Sequence, residues 1–350
     1  MVCLLDANHV ILSPLLNLKN KSMSEGNIIN SEFETAYWLP ERHSQTLFPT
    51  LFRRPSPLLL TEEDLELPDG DFVELTWTKP TASGPIIALF HGLEGSIDSG
   101  YVRGVLNIVH ELGWQGVLMH FRTCGKKGNR LPRWYHSGDS PDIDHFIRFL
   151  RARFPDREIG ALGVSMGGNA LLKYLGEQGE DCPLSAAMAV SVPFDLANTA
   201  RHLSTGFSRI YQQHLIRLVR KKVLDKHKTM QFPMDLDEFN KANTFYQIDN
   251  VAAKMHGFKS ADDYYERASA RQFLKSIKVP TLVLHSENDP FMTPAAIPLR
   301  RDLSPHVTLE LAKSGGHVGF VYGNNPLNPK YWIDKRFREF FTGQLGAPEA

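Results

Sequence analysis

The sequence predicts an α/β fold, a mostly parallel sheet flanked by helices and interrupted by an inserted helical cap. Three observations carry this expectation. Short apolar runs that suit buried strands alternate with stretches of helical periodicity. One such run, 158–162, leads through Gly163-Val164-Ser165-Met166-Gly167 into a helical stretch over 170–177. The polar, helix-rich segment 195–275 separates two comparable strands and so reads as an insertion. The expected division is a flexible N-terminal segment over 1–30, a first part of the core over 31–194, the cap over 195–275 and a second part of the core over 276–350.

Composition removes several classes of function. A chain of 350 residues that is 42% hydrophobic has enough apolar side chains for one large core. Lys+Arg and Asp+Glu balance at 39 each, so no global field points to nucleic acid. No stretch approaches the roughly 20 uninterrupted apolar residues of a membrane span. The first residues lack a basic n-region, and Asp6 and His9 break the apolar run, which argues against a signal peptide. The three cysteines, Cys3, Cys124 and Cys182, are far apart and form no C-x-x-C. This usage suits a reducing, cytoplasmic compartment and offers no zinc site. No H-E-x-x-H, P-loop or G-x-G-x-x-G occurs, so neither metal nor cofactor is expected.

Residues 1–30 are weakly patterned, and Met23 is an alternative start to Met1. The polar stretch 38–49 reads as a capped turn docking the N-terminal arm, or as a source of groups that bond backbone or substrate. Segments 58–67 and 72–78 flank Pro68-Asp69-Gly70-Asp71, which signals a hairpin. A strand over 85–90 ends in His91-Gly92-Leu93-Glu94-Gly95-Ser96. Val102, Val105, Leu106, Val109 and Leu112 keep helical spacing up to Gly113. A strand over 116–121 opens the long loop 122–139, whose length suggests a functional role and a place at the pocket. Tyr135 and His136 in it are pocket candidates, as are Phe291 and His91, the last read first as shaping its own loop and not as taking protons. Ser140-Pro141 starts the next helix.

Glycines two positions either side of Ser165 suit a tight strand-to-helix turn that lifts a hydroxyl clear of the sheet. The bland alternative is any Gly-rich turn of an α/β sheet. A strand over 186–192 follows. In the cap, 201–228 is rich in Lys and Arg with Asp225 as its one acid. A solvated helix face explains such charge; attraction to anionic head groups is the alternative and implies a weak membrane-surface encounter. Tyr264, Tyr265, Phe207 and Tyr211 suit an acyl pocket or simple core packing. A strand over 279–285 leads to Asp289, and one over 307–311 leads to His317. A closing helix carries Ile333, Phe337, Phe340 and Phe341.

Ser165, Asp289 and His317 therefore follow one another in the order Ser–Asp–His, with an H-G turn upstream, as in the α/β-hydrolase fold. A serine hydroxyl is a weak nucleophile and needs a base. An imidazole is suited to take and return that proton. A carboxylate fixes its tautomer and stabilises the imidazolium. The backbone N–H groups of Leu93 and Met166 are placed to form an oxyanion hole. Asp263 and Asp139 are the fallback acids.

The sequence resembles the YheT-like α/β-hydrolases, relatives of the ABHD1/ABHD3 group, over roughly residues 38–341. The resemblance rests on Arg42-His43-Ser44-Gln45-Thr46, His91-Gly92-Leu93-Glu94-Gly95-Ser96, Tyr135-His136-Ser137-Gly138-Asp139, Gly163-Val164-Ser165-Met166-Gly167-Gly168-Asn169, Ser191-Val192-Pro193-Phe194-Asp195, Asp262-Asp263-Tyr264-Tyr265, Asn288-Asp289-Pro290-Phe291 and Gly315-Gly316-His317-Val318-Gly319-Phe320. It implies a serine hydrolase acting without cofactor on short- to medium-chain acyl esters, with the triad on Ser165, Asp289 and His317. Departures are Thr123 after Arg122, where a glycine is expected, and Asn288 before the acid. Acyl transfer, or thioester or amide cleavage, by the same triad remains open at this point, as does a non-catalytic ligand-binding role. Oligomeric state is not legible.

Overall fold

The computed structural model describes residues 25–54, 57–81 and 83–346. Met1 and Met23, with the rest of 1–24, lie outside them. Nine strands form one sheet: β1 (Asn27–Asn30), β2 (Leu60–Glu66), β3 (Phe72–Thr78), β4 (Ile86–Phe90), β5 (Gln115–Met119), β6 (Ile159–Val164), β7 (Ala186–Val190), β8 (Thr281–Ser286) and β9 (Val307–Ala312). Their order is β1-β9-β8-β7-β6-β4-β5-β3-β2. The β2–β3 and β3–β5 pairings are antiparallel. The other pairings are parallel. Beyond the sheet, β10 (Val321–Tyr322) and β11 (Lys330–Tyr331) form a small antiparallel pair.

Strands β4 to β8 are buried along their whole length. That is why they read as continuous apolar runs and not as alternating ones. One face of the sheet packs α2 (Gly100–Glu111) and α10 (Trp332–Leu345) through Val105, Val109, Phe337 and Phe341. The other packs α3 (Ser140–Arg153) and α4 (Met166–Gln178) through Ile143, Phe146, Leu171 and Leu175. Between β7 and β8 the chain forms α5 (Leu196–Leu203), α6 (Ser208–His227), α7 (Leu236–Lys241), α8 (Phe245–Ala252) and α9 (Ala261–Ala268).

Two stretches differ from expectation. Asn27–Asn30, placed by sequence in the flexible segment, pairs with Thr308–Leu311 as β1. An edge strand of four residues needs only backbone partners, so its side chains show no pattern. The expected turn at 38–49 is largely a helix, α1 (Arg42–Phe52), with Glu41 accepting bonds from the N–H groups of His43 and Ser44 and with Pro49 inside it.

The long loop 122–139 is anchored by Arg122, which is buried. Its guanidinium binds Asp142 through two bonds of 2.7 Å, Asp69 at 2.8 Å and Asp71 at 2.9 Å. Asp71 and Asp142 are themselves buried. Removing the cation leaves two buried carboxylates without it. Arg122→Met is therefore expected to lose about 3–5 kcal/mol in urea unfolding. A loss under 1 kcal/mol would show that the network is immaterial.

Candidate active site

Ser165 stands between β6 and α4 with φ 53° and ψ −120°. A non-glycine residue there is strained by about 1–3 kcal/mol. The flanking glycines are a steric necessity. A Cβ on Gly163 would lie 2.6 Å from the Gly167 carbonyl oxygen, and one on Gly167 would lie 2.4 Å from those of Phe90 and His91. The Ser165 N–H donates to the Val190 carbonyl at 2.8 Å, which pins the turn to β7.

The loops after β6, β8 and β9 bring three side chains together. Ser165 Oγ lies 2.9 Å from His317 Nε2, and His317 Nδ1 lies 2.8 Å from Asp289 Oδ2. Asp289 and His317 are both buried. The other Asp289 oxygen accepts from the Phe291 N–H at 2.8 Å. The Phe291 ring stacks on His317, with centroids 3.8 Å apart and planes 4° apart. The fallback acids are occupied elsewhere: Asp139 pairs with Arg133, and Asp263 with Arg267.

Residues beyond these hold the histidine loop. Thr46 Oγ1 of α1 accepts from the His317 N–H at 2.9 Å, and Ser191 Oγ accepts from the Val318 N–H at 3.0 Å. Asn288 Oδ1 accepts from the Gly316 N–H at 3.1 Å. Spacing alone assigns none of these roles; each depends on contacts far apart in the chain. Asn288, a departure from the resembled pattern, thus has a positioning contact of its own.

The H-G turn after β4 lies against Ser165, since a Cβ on Gly92 would come within 3.3 Å of the Ser165 Cβ. Its N–H is taken by the Tyr101 hydroxyl at 2.8 Å. The N–H groups of Leu93 and Met166 have no bonding partner among the described residues. His91 requires a correction. It was a pocket candidate, but it is fully buried behind the turn and does not line the cavity. Nδ1 bonds the Gly92 carbonyl at 2.7 Å and Nε2 accepts from the Phe121 N–H at 3.1 Å. Burial pushes it down to about 3, so it stays neutral.

Ser165 and His317 open into a largely apolar cavity of about 1210 Å³ of empty space, mouth included. Tyr135, His136 and Phe291 line it, and so do Tyr264 and Tyr265 from the cap. Phe207 does not; it is half exposed, and its ring packs on His43 at 4.2 Å. Tyr211 is buried and bonds His43 at 3.0 Å. Among the described residues no cluster of three His, Cys, Asp or Glu side chains is arranged to hold a metal.

Sheet order, the turn at Ser165 and the loop positions of Asp289 and His317 define an α/β hydrolase. A family model described as the alpha/beta hydrolase fold matches residues 85–324, and the chain belongs to that family. Within it the chain is YheT-like. It is 38% identical over 329 residues to YheT of Escherichia coli (strain K12), a provisionally named esterase, covering 91% of this chain and 96% of that protein. It is 28% identical over 329 residues to phospholipase ABHD3 of Mus musculus, covering 91% of this chain and 80% of that one. The Pyrococcus furiosus esterase Pf2001 shares the fold, with a TM-score of 0.54 at 16% identity over 91% of this chain and 98% of that chain.

Because the atoms facing Gly167 are backbone, they have little room to yield. Gly167→Ala is expected to cost about 1–3 kcal/mol in thermal unfolding and to displace Ser165. A variant of unchanged stability would show that the turn relaxes freely.

Proposed function

We propose that the protein hydrolyses carboxylic esters of short- to medium-chain acids through an acyl-enzyme on Ser165. The observation that carries this reading is the hydrogen-bonded line Ser165 Oγ–His317 Nε2, His317 Nδ1–Asp289. With Nδ1–H donated to Asp289, the lone pair on Nε2 faces the serine O–H. Ser165 attacks the ester carbonyl as His317 takes its proton. The oxyanion is received by the N–H groups of Leu93 and Met166, each such donor typically worth about 2.7–4 kcal/mol. Collapse breaks the C–O bond, and His317 returns the proton to the departing alcohol. Water then repeats the sequence on the acyl-enzyme, releasing the acid and restoring Ser165.

Kinship supports ester chemistry, since the relatives described above are named as an esterase and a phospholipase. The apolar cavity beside Ser165 suits an acyl chain. A weak encounter with anionic surfaces is part of the same reading. Arg42, Arg209 and Arg217 are exposed near the exposed apolar side chains Leu47, Phe207 and Ile210 of α1 and α6. No helix among the described residues is long and apolar enough to cross a membrane.

Two outcomes are expected. Wild type hydrolyses p-nitrophenyl esters and reacts with a fluorophosphonate, while Ser165→Ala does neither and keeps its fold by circular dichroism; comparable turnover in the variant would overturn the assignment. Sedimentation with anionic vesicles shows binding at low salt that is lost at high salt, and no binding at low salt would remove the surface encounter.

A further inference from the structure

One wall of the cavity carries polar groups that the hydrolytic steps do not use. Asp249 of α8, His256 just beyond it, His136 of the long loop and Tyr265 of α9 all line the same space as Ser165 and His317. Tyr265 donates its hydroxyl to Asp249 Oδ2 at 2.6 Å, and Asp249 has no other bonding partner among the described residues. His136 Nδ1 accepts from the Gly138 N–H at 3.1 Å. Both ring nitrogens of His256 are buried and have no hydrogen-bond partner among the described residues. The ring is held edge-to-face against Trp134 and His136, each at 5.2 Å.

An unpartnered buried donor or acceptor costs about 1–3 kcal/mol. A ring packed among aromatics for shape alone would gain more as Leu or Phe. The two imidazoles are also neutral. Burial lowers His136 to about 3 and His256 well below the usual histidine range, while it raises the Asp249 carboxyl to about 7. A neutral imidazole offers one donor and one acceptor. His136 and His256 offer an anion no positive charge, and the lysines lining the cavity, Lys222 and Lys226, are engaged by Glu94 and by the carbonyls of Leu131 and Arg133. An uncharged group that both donates and accepts fits, and a hydroxyl is the simplest one.

We propose that His256 and Asp249 form a polar subsite in the substrate cavity that takes an uncharged hydroxyl carried by the substrate in addition to its ester. This rests on the ester-hydrolase reading and names the class of ester: a hydroxylated one, with the apolar walls holding the carbon chain between the two polar points.

The test compares ω-hydroxyalkanoate esters with unsubstituted and ω-ammonium esters of matched length, over a series of lengths. p-Nitrophenyl esters read turnover. Methyl esters binding to Ser165→Ala, followed by calorimetry, read the subsite without turnover, so failure of hydrolysis and failure of the subsite are distinguishable. At one length the hydroxy ester is expected to bind about tenfold more tightly than the plain ester, with the gain in KM and not in kcat. His256→Leu abolishes the preference, and His256→Gln keeps part of it. A preference unchanged in His256→Leu, or none at any length in binding, overturns the proposal. A preference for the ammonium ester that is lost in Asp249→Asn also overturns it, since the subsite then takes a cation.

Discussion

The strained turn at Ser165 is the constraint on which the rest of the site depends. A hydroxyl must leave the sheet where a strand becomes a helix, and the backbone reaches that geometry only in a region that side chains disfavour. The strain is held because β6 is buried along its length and paired on both sides, by β4 and β7. The six described non-glycine residues with positive φ are Glu94, Thr123, Ser165, Ser191, Val318 and Phe320. Each lies in a loop that follows the C-terminal end of a sheet strand: β4, β5, β6, β7 and β9. A rigid parallel sheet thus collects its backbone strain at one edge, the edge where the chemistry is assembled.

The histidine loop depends on the same arrangement. Its backbone is held at three N–H groups by Asn288, Thr46 and Ser191, which come from the β8 loop, α1 and the β7 loop. Phe291 covers the imidazole face. Three separate parts of the chain, the β8 loop, α1 and the β7 loop, therefore determine where Nε2 sits relative to Ser165. On the proposed mechanism such over-determination keeps reorganisation small as His317 takes the serine proton, which is the physical content of preorganised catalysis. It also gives α1 a purpose: it supplies Thr46 as well as packing surface.

What the sequence made legible follows from this. Buried parallel strands are continuous apolar runs, and the glycines around Ser165 are local steric requirements, so both can be read from neighbours in the chain. Asp289 and His317 could be reached because each directly follows such a strand. Thr46 and Ser191 were not, because their roles are contacts with a loop more than a hundred residues away. His91 was misplaced for a related reason: sequence shows that it stands at the turn but not which side of the turn its ring takes. β1 escaped notice because its partner β9 is remote and its four residues bear no apolar signature. Pro49 and the mixed polarity around it concealed α1.

The cap shows how one charge-rich segment serves two environments. Arg209, Arg217 and Lys221 of α6 face solvent. Lys222 and Lys226 of the same helix line the cavity and are engaged there. Lys222 pairs with Glu94 at 2.8 Å, and Lys226 donates to the carbonyls of Leu131 and Arg133 at 2.6 and 3.0 Å. With His136 and His256 held neutral by burial, the two lysines are the cations of the cavity wall, and each is held by its own acceptors. The desolvation cost of an isolated buried charge explains why: each cation that enters the cavity wall brings its own acceptors. The Lys222–Glu94 pair adds a mechanical consequence. Glu94 adjoins Leu93 in the strained turn beside Ser165, so the helix that shapes the cavity is tied directly to the backbone N–H proposed for the oxyanion hole.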